Sequence, residues 1–371
     1  MNQSLANSSS QRLISLDVMR GFTIAAMVIV NDPGSWDHVY APLLHAEWNG
    51  LTTTDLIYPF FLFFVGMSIA LAYTKRLDAG DAKGPLQKKL LIRAAKIFLL
   101  GLFLALWPEF NFSELRWPGV LQRIALVFAV CGFLFLNTNR KQLITISIII
   151  LLLYWVIMVF IPVPGIGLPD LSIPDKNWAN WLDNMLIPGR LYRGTWDPEG
   201  FLSTFPAIVT GISGMLVGQV MLKTPDIHQK LFRLFFIGFI MLGLGAVWNW
   251  FFPINKHIWT SSYVLYTSGL ATMALAAFYY VVDVKGYHRW TFLGRVYGAN
   301  SLSSYVLAGM LTLVFYDDIF GGMSLNDLFM ENMTQIGMAH KLASLIYAVI
   351  YMLIIFVPAY ILYKKKIYIK V

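Results

Sequence analysis

Charge is scarce in this sequence. Only 13% of its 371 residues are Asp, Glu, Lys or Arg, about half the share of a soluble domain. So few charged groups cannot cover a water-exposed surface of this size. Cysteine is scarcer still: Cys131 stands alone inside an apolar run. That excludes a disulfide within the chain and every paired-cysteine metal or redox site; the residue reads as a small apolar filler. No HExxH or paired Cys/His spacing is present, so no metal is expected. There is no Walker loop, no GxGxxG behind a strand and no GxSxG nucleophile elbow. The polar, Ser-rich start, residues 1–11, lacks the charged head and short apolar stretch of a cleaved signal peptide. The first span is therefore expected to serve as an uncleaved signal.

What is abundant is apolar length. Hydrophobic residues make up 57% of the chain, and they fall in runs of the roughly 20 residues that cross a bilayer as a helix. The reading is an all-α, polytopic transmembrane bundle forming a single domain over 1–371. About ten spans are expected, at 14–31, 55–74, 90–107, 118–136, 142–162, 201–222, 231–252, 260–282, 296–315 and 339–362. Gly and Pro interrupt several of them, as membrane helices tolerate. The spacing of Gly211, Gly214 and Gly218 marks a face for close helix packing.

The net charge of +8 does not point to nucleic acid, because the Lys and Arg residues sit in short connections. With the N-terminus inside, twenty of the 28 Lys and Arg residues fall on the inner side and six on the outer. That asymmetry puts both termini in the cytoplasm. Two outer segments exceed what a connector needs: 32–54, with Trp36, His38, His45, Glu47, Trp48 and Asn49, and the long extracytoplasmic loop 163–200. Long loops in compact proteins often carry function.

Ionisable groups inside a bilayer are costly and usually have a reason. Asp17 and Arg20 share a face of the first helix three residues apart; they form an internal ion pair or hold a ligand. Arg123, early in the fourth span, can pair with Asp17 or Asp55, or bind an anion. A histidine can serve as base, acid or nucleophile, and His45 stands ten residues before Asp55, a carboxylate able to orient it. The plainer readings are a loop histidine, a helix-capping Asp55 after three threonines, and an Asn31 that opens the Asp32-Pro33-Gly34 turn.

The blocks RLISLDVMRGFTIAAMVIVN (12–31) and HAEWNGLTTTDLIYPFFLFFVGMSI (45–69) resemble the heparan-α-glucosaminide N-acetyltransferase family. So do RWPGVLQRIALV (116–127), TWDPEGFLSTFPAIVTGISGMLVG (195–218), FPINKHIWTSSYVL (252–265) and VVDVKG (281–286), all in family order. The resemblance implies a transmembrane acyltransferase that takes acetyl from cytosolic acetyl-CoA, its co-substrate, and places it on the amino group of a glucosamine or glucosamine-terminated glycan on the far side. It also implies a catalytic His45 with Asn31 and Asp55. In that picture Asn31 donates to the developing oxyanion, and His45 is a base or briefly carries acetyl. Asn255, Lys256, Asp197 and Glu199 stand near the acceptor. Arg20 and Arg123 are the intramembrane candidates for ligand binding. By this resemblance the chain is expected to be a stand-alone, bacterial-type member of the inner (plasma) membrane, without the animal enzymes' large N-terminal domain. The acceptor and the choice between monomer and homodimer stay open. The alternative is an amino-sugar transporter without acyl transfer, but no internal repeat supports it.

Overall fold

In water the exposed backbone of an apolar run can bond to solvent; in hydrocarbon it must bond to itself, and helices do this within one segment. The structure, a computed structural model describing residues 13–318 and 322–369, accordingly consists of helices joined by loops. The polar start 1–11, Arg12 and Lys370 lie outside the described residues. The helices are α1 (Ile14–Asn31), α2 (Ile57–Asp78), α3 (Lys83–Leu106), α4 (Val120–Asn137), α5 (Arg140–Phe160), α6 (Trp178–Leu186), α7 (Thr204–Lys223), α8 (Ile227–Trp248), α9 (Ser261–Phe278), α10 (Phe292–Ala299), α11 (Ser301–Tyr316), α12 (Leu325–Gln335) and α13 (His340–Lys364).

Among the described residues, eight helices are long and apolar enough to cross a membrane, or nine if the bent pair α10–α11 is one broken span, where about ten were expected. The span expected at 90–107 is α3, which starts earlier and carries Lys88, Lys89, Arg93 and Lys96; these charges keep it below the apolarity of the others. It nonetheless lies antiparallel along α4: Gln87 bonds to Asn137, Leu90 fills the space beside Gly132, and Gly101 faces Gln122. The span expected at 296–315 is not one straight helix. The chain breaks at Asn300 and turns by 75°. Asn300 Nδ2 donates to Ile367 O at 3.0 Å and its Oδ1 accepts from Ile369 N at 2.9 Å, so the C-terminal segment holds the break.

Helix α7 is the axis, with 78% of its most apolar window buried, against 22% for α5 and 17% for α8 at the periphery. The outward faces carry Phe232, Phe239 and Leu153 in the open. A soluble protein would pay for such a surface in aggregation; beside lipid tails it is neutral. Lipid offers no hydrophobic drive for association of helices, so close packing must provide it. A Cβ built on Gly66 of α2 would sit 1.8 Å from the Gly211 carbonyl oxygen of α7, and one on Gly214 would sit 2.0 Å from Phe63 O. The third residue of the stripe, Gly218, faces Ala70. Gly211 also receives Cys131, which is fully buried. Gly21 and Gly294 bring α1 against α10 in the same way.

Gly66→Ala should therefore destabilise the protein by about 1–3 kcal/mol through overpacking. Gly243→Ala, with nothing within 4 Å of the new methyl, should be neutral or gain up to about 1 kcal/mol of helix propensity. Thermal unfolding of the two variants in detergent checks this; equal midpoints would mean that the α2–α7 contact is looser than described.

Candidate active site

The site is assembled where α1 ends and α2 begins. Asp55 is fully buried there, and a carboxylate so placed needs donors on every side. Its Oδ2 accepts from the backbone N–H of Ala46 and of Thr52 and from Thr52 Oγ1, each at 3.0 Å. Its Oδ1 takes His45 Nδ1 at 2.7 Å. The ten-residue sequence interval between His45 and Asp55 is thus folded into a loop around one carboxylate. The threonines anticipated as helix caps instead bond back into the preceding turn, Thr52 to Leu44 O at 2.7 Å and Thr54 to Pro42 O at 3.3 Å.

Because Nδ1 faces an acceptor-only carboxylate, it carries the ring proton, and Nε2 keeps its lone pair. His45 is 42% exposed, whereas the Asp55 side chain is 1% exposed. A third group closes on the ring. Lys256 Nζ lies 3.1 Å from Nε2, 2.9 Å from Nδ1 and 3.6 Å from Asp55 Oδ1. Burial lowers the pKa of this amine, with Asp55 and Glu199 pulling the other way.

The loop carrying Lys256 is locked by its neighbours. Asn255, fully buried, donates to Asn49 Oδ1 at 3.0 Å, and its own Oδ1 accepts from Ile258 N at 3.1 Å. Gly50 N donates to Ile254 O at 2.8 Å. Trp259 adopts φ of +52°, uncommon for a bulky residue, and is held there by Thr210 Oγ1 at 3.1 Å and by packing against Tyr58 and Tyr263. Tyr263 OH reaches the Asp55 carbonyl at 2.6 Å. His257 donates from Nε2 to Ala46 O at 3.0 Å and stacks on Trp48. Burial pushes its pKa down to about 4, so it is a neutral wall of the site. Trp48 and Asn49 in turn bond to Leu171 O, fastening the 163–200 loop over the group.

The remaining candidates sit elsewhere. Asp197 and Glu199 are both held by Arg116, Asp197 bidentately at 2.7 and 2.6 Å and Glu199 at 2.5 Å. Burial opposes the Arg116 charge, but its bonds to these carboxylates outweigh it and raise its pKa. Arg123 meets neither Asp17 nor Asp55. It donates through Nη2 to Gly200 O at 3.0 Å and to Ser203, and its guanidinium lies over the Trp259 ring. Arg20 pairs with Asp17 at 3.0 Å and donates to Gly298 O. Asn31 is exposed at the end of α1, and no hydrogen bond joins it to His45 or Asp55. Sequence reasoning missed Arg116, Tyr263 and His257 as parts of this region; all three act through contacts across the fold, which no local spacing announces. A cavity of about 530 Å³ opens between residues 34–38 and α12, lined by Trp36, Asp37, His38, Asn326, Asp327 and Glu331. None of His45, Asp55 or Lys256 lines it.

Compared with known proteins, residues 12–238 match the family described as heparan-alpha-glucosaminide N-acetyltransferase, catalytic. The Mus musculus heparan-alpha-glucosaminide N-acetyltransferase is 30% identical over 423 residues, covering 98% of this chain and 61% of that protein. The Homo sapiens protein of the same name is 32% identical over 417 residues, covering 97% and 60%. The chain thus spans about three-fifths of the length of the curated relatives it matches.

Next to Asn31, Asp32 is a second buried carboxylate at this end of the bundle, with burial raising its pKa to about 7. Its sign is opposite to that of a paired carboxylate. At low pH both folded and unfolded forms are protonated and it contributes nothing. As pH rises from 3.8 toward about 7 the unfolded chain ionises first, and stability is lost. Asp32→Asn should therefore raise the unfolding midpoint above that of the parent at about pH 8.5 and leave it unchanged near pH 4. A gain of equal size at both pH values would refute the assignment.

Proposed function

The chain belongs to the heparan-alpha-glucosaminide N-acetyltransferase family, and from that premise we propose that it is a transmembrane N-acetyltransferase. It moves acetyl from cytosolic acetyl-CoA to the amino group of a glucosamine-type sugar, free or at a glycan end, on the other side of the membrane. The single observation that carries the chemistry is the His45–Asp55 pair: a 2.7 Å hydrogen bond from Nδ1 to a sealed carboxylate, on a ring whose side chain is 42% exposed.

That pair supplies what amide formation needs. An amine attacking a thioester must shed a proton, and Nε2 is the free base that can take it. Asp55 fixes the tautomer and stabilises the imidazolium that forms. The same proton then goes to the departing thiolate of coenzyme A. The negative charge that builds on the acetyl oxygen calls for a donor, and Asn31 keeps that role in the proposal, since its side-chain amide is exposed and uncommitted. Such a donor is worth roughly 3 kcal/mol. The basic face assigned to the cytoplasm suits the phosphates of acetyl-CoA. Only the acetyl-bearing arm then has to reach the His45 end, and an apolar seam between α1, α2, α4 and α11, edged by Ile24, Phe61, Ile124 and Tyr305, is in keeping with such a path. Asp197 and Glu199, held by Arg116, are proposed to attract the cationic acceptor.

The test is transfer of labelled acetyl from acetyl-CoA to glucosamine by the purified full chain. His45→Ala should abolish transfer, Asp55→Asn should lower it on the order of a hundredfold or more, and Asn31→Ala should lower kcat by roughly a hundredfold. Undiminished transfer by His45→Ala would sink the mechanism. Saturable glucosamine uptake without any acetylated sugar would replace the enzyme by a transporter.

A further inference from the structure

Lys256 is the group whose position the proposed reaction does not explain. A lysine serving only to balance Asp55 would sit on the carboxylate. Instead its Nζ is 3.6 Å from Asp55 Oδ1 but 3.1 and 2.9 Å from the two ring nitrogens of His45. Nearly equidistant from Nδ1 and Nε2, Nζ lies over the face of the ring, in contact with the base, while the Nε2 lone pair in the ring plane stays free. A small shift of the amine toward Nε2 makes the contact an acceptor amine needs with its general base. The lysine is the better shielded of the two groups: its side chain is 12% exposed, against 42% for His45.

We propose that Lys256 is an internal acetyl acceptor, which becomes Nε-acetylated from the acetyl thioester when no external amine occupies the site. The inference rests on the acyl-transfer reading above. A C–N bond forms between Nζ and the acetyl carbonyl carbon, and the C–S bond of the thioester breaks. One Nζ proton passes to His45 Nε2 and from there to the thiolate, releasing a free thiol; no oxidant, reductant or metal takes part. Two further features favour the step. The burial that depresses the Lys256 pKa favours the neutral, nucleophilic amine. The loop that carries Lys256 is fastened through Asn255 to Asn49 and through Gly50 to Ile254, so the nucleophile is already in place, which is worth orders of magnitude in effective concentration. The product is an amide, whose nitrogen is no longer a nucleophile. Acetylation of Lys256 therefore marks a chain that has turned over once on itself, and an external amino sugar protects against it.

The experiment uses the purified full chain in detergent with deuterium-labelled acetyl-CoA and no sugar, followed by proteolysis and mass spectrometry. Labelled acetyl should accumulate on Lys256, at least about tenfold faster than on Lys341, an exposed lysine at the start of α13. It should fall sharply when glucosamine is present in excess and vanish in His45→Ala. Transfer to glucosamine with Lys256 left unmodified would overturn the inference and leave the enzyme reading intact. Labelling of Lys256 at the same rate as Lys341, with or without His45, would overturn it as ordinary chemical acetylation. Absence of label on both sugar and lysine would remove the acyltransferase reading along with it.

Discussion

A carboxylate taken out of water must be met by donors, and the demand of Asp55 organises everything near it. Four hydrogen bonds from His45, Ala46 and Thr52 converge on its two oxygens. Breaking such a set would cost several kcal/mol, since an uncompensated buried charge would remain. The loop from 45 to 55 is therefore shaped by its own terminal residue. His45 cannot turn away, and the choice of ring nitrogen for the proton is settled by which one faces Asp55. Tyr263 extends the same logic, binding the backbone carbonyl of Asp55 from α9 and so fixing the start of α2 against the start of α9.

That local order needs a frame that does not shift, and the frame comes from backbones packed on backbones. Where α2 meets α7 there is no side chain between Gly66 and Gly211, and no rotamer can relax to change the spacing. The N-terminal ends of α2 and α7 are thereby fixed relative to each other. Beside them lie the three loops that meet around His45: 45–55, 163–200 through Trp48 and Leu171, and 252–260 through Asn49 and Asn255. The strained Trp259 belongs to this frame. Its ring is wedged among Tyr58, Tyr263 and Arg123, and the turn it forces presents Lys256.

The sequence displays the parts of this arrangement that are local or periodic. Apolar runs mark the helices because burial in lipid acts on every residue of a span, and the small-residue stripe of α7 marks its contact with α2 because a close approach leaves no alternative. His45 and Asp55 stand in one block, so their pairing is within reach of spacing arguments. The break at Asn300 is not legible, because its cause is the segment 367–369 arriving from the far end of the chain. Nor is the contact of Lys256 with His45, across 211 positions, or the capture of Asp197 and Glu199 by Arg116. Arg123 shows the limit most clearly: Asp17, Asp55 or a bound anion were the readings open to it, and its partners are a backbone carbonyl, a serine and a tryptophan ring.

Exposure sorts the three groups at the centre into distinct duties. Asp55 is sealed, so its charge is a constant of the fold and it acts only by holding another group. His45 is open on one edge, so a proton can reach and leave it and a substrate can touch it. Lys256 lies between, close enough to the base to be activated yet shielded from bulk water. Water competes with any amine for an acyl group, and a nucleophile that sits permanently against the base competes more effectively still. On the proposed chemistry, such a site is quiet only while an external acceptor is bound. The selectivity that matters is then between an amine offered from outside and the amine the site already carries, and both compete for one imidazole ring.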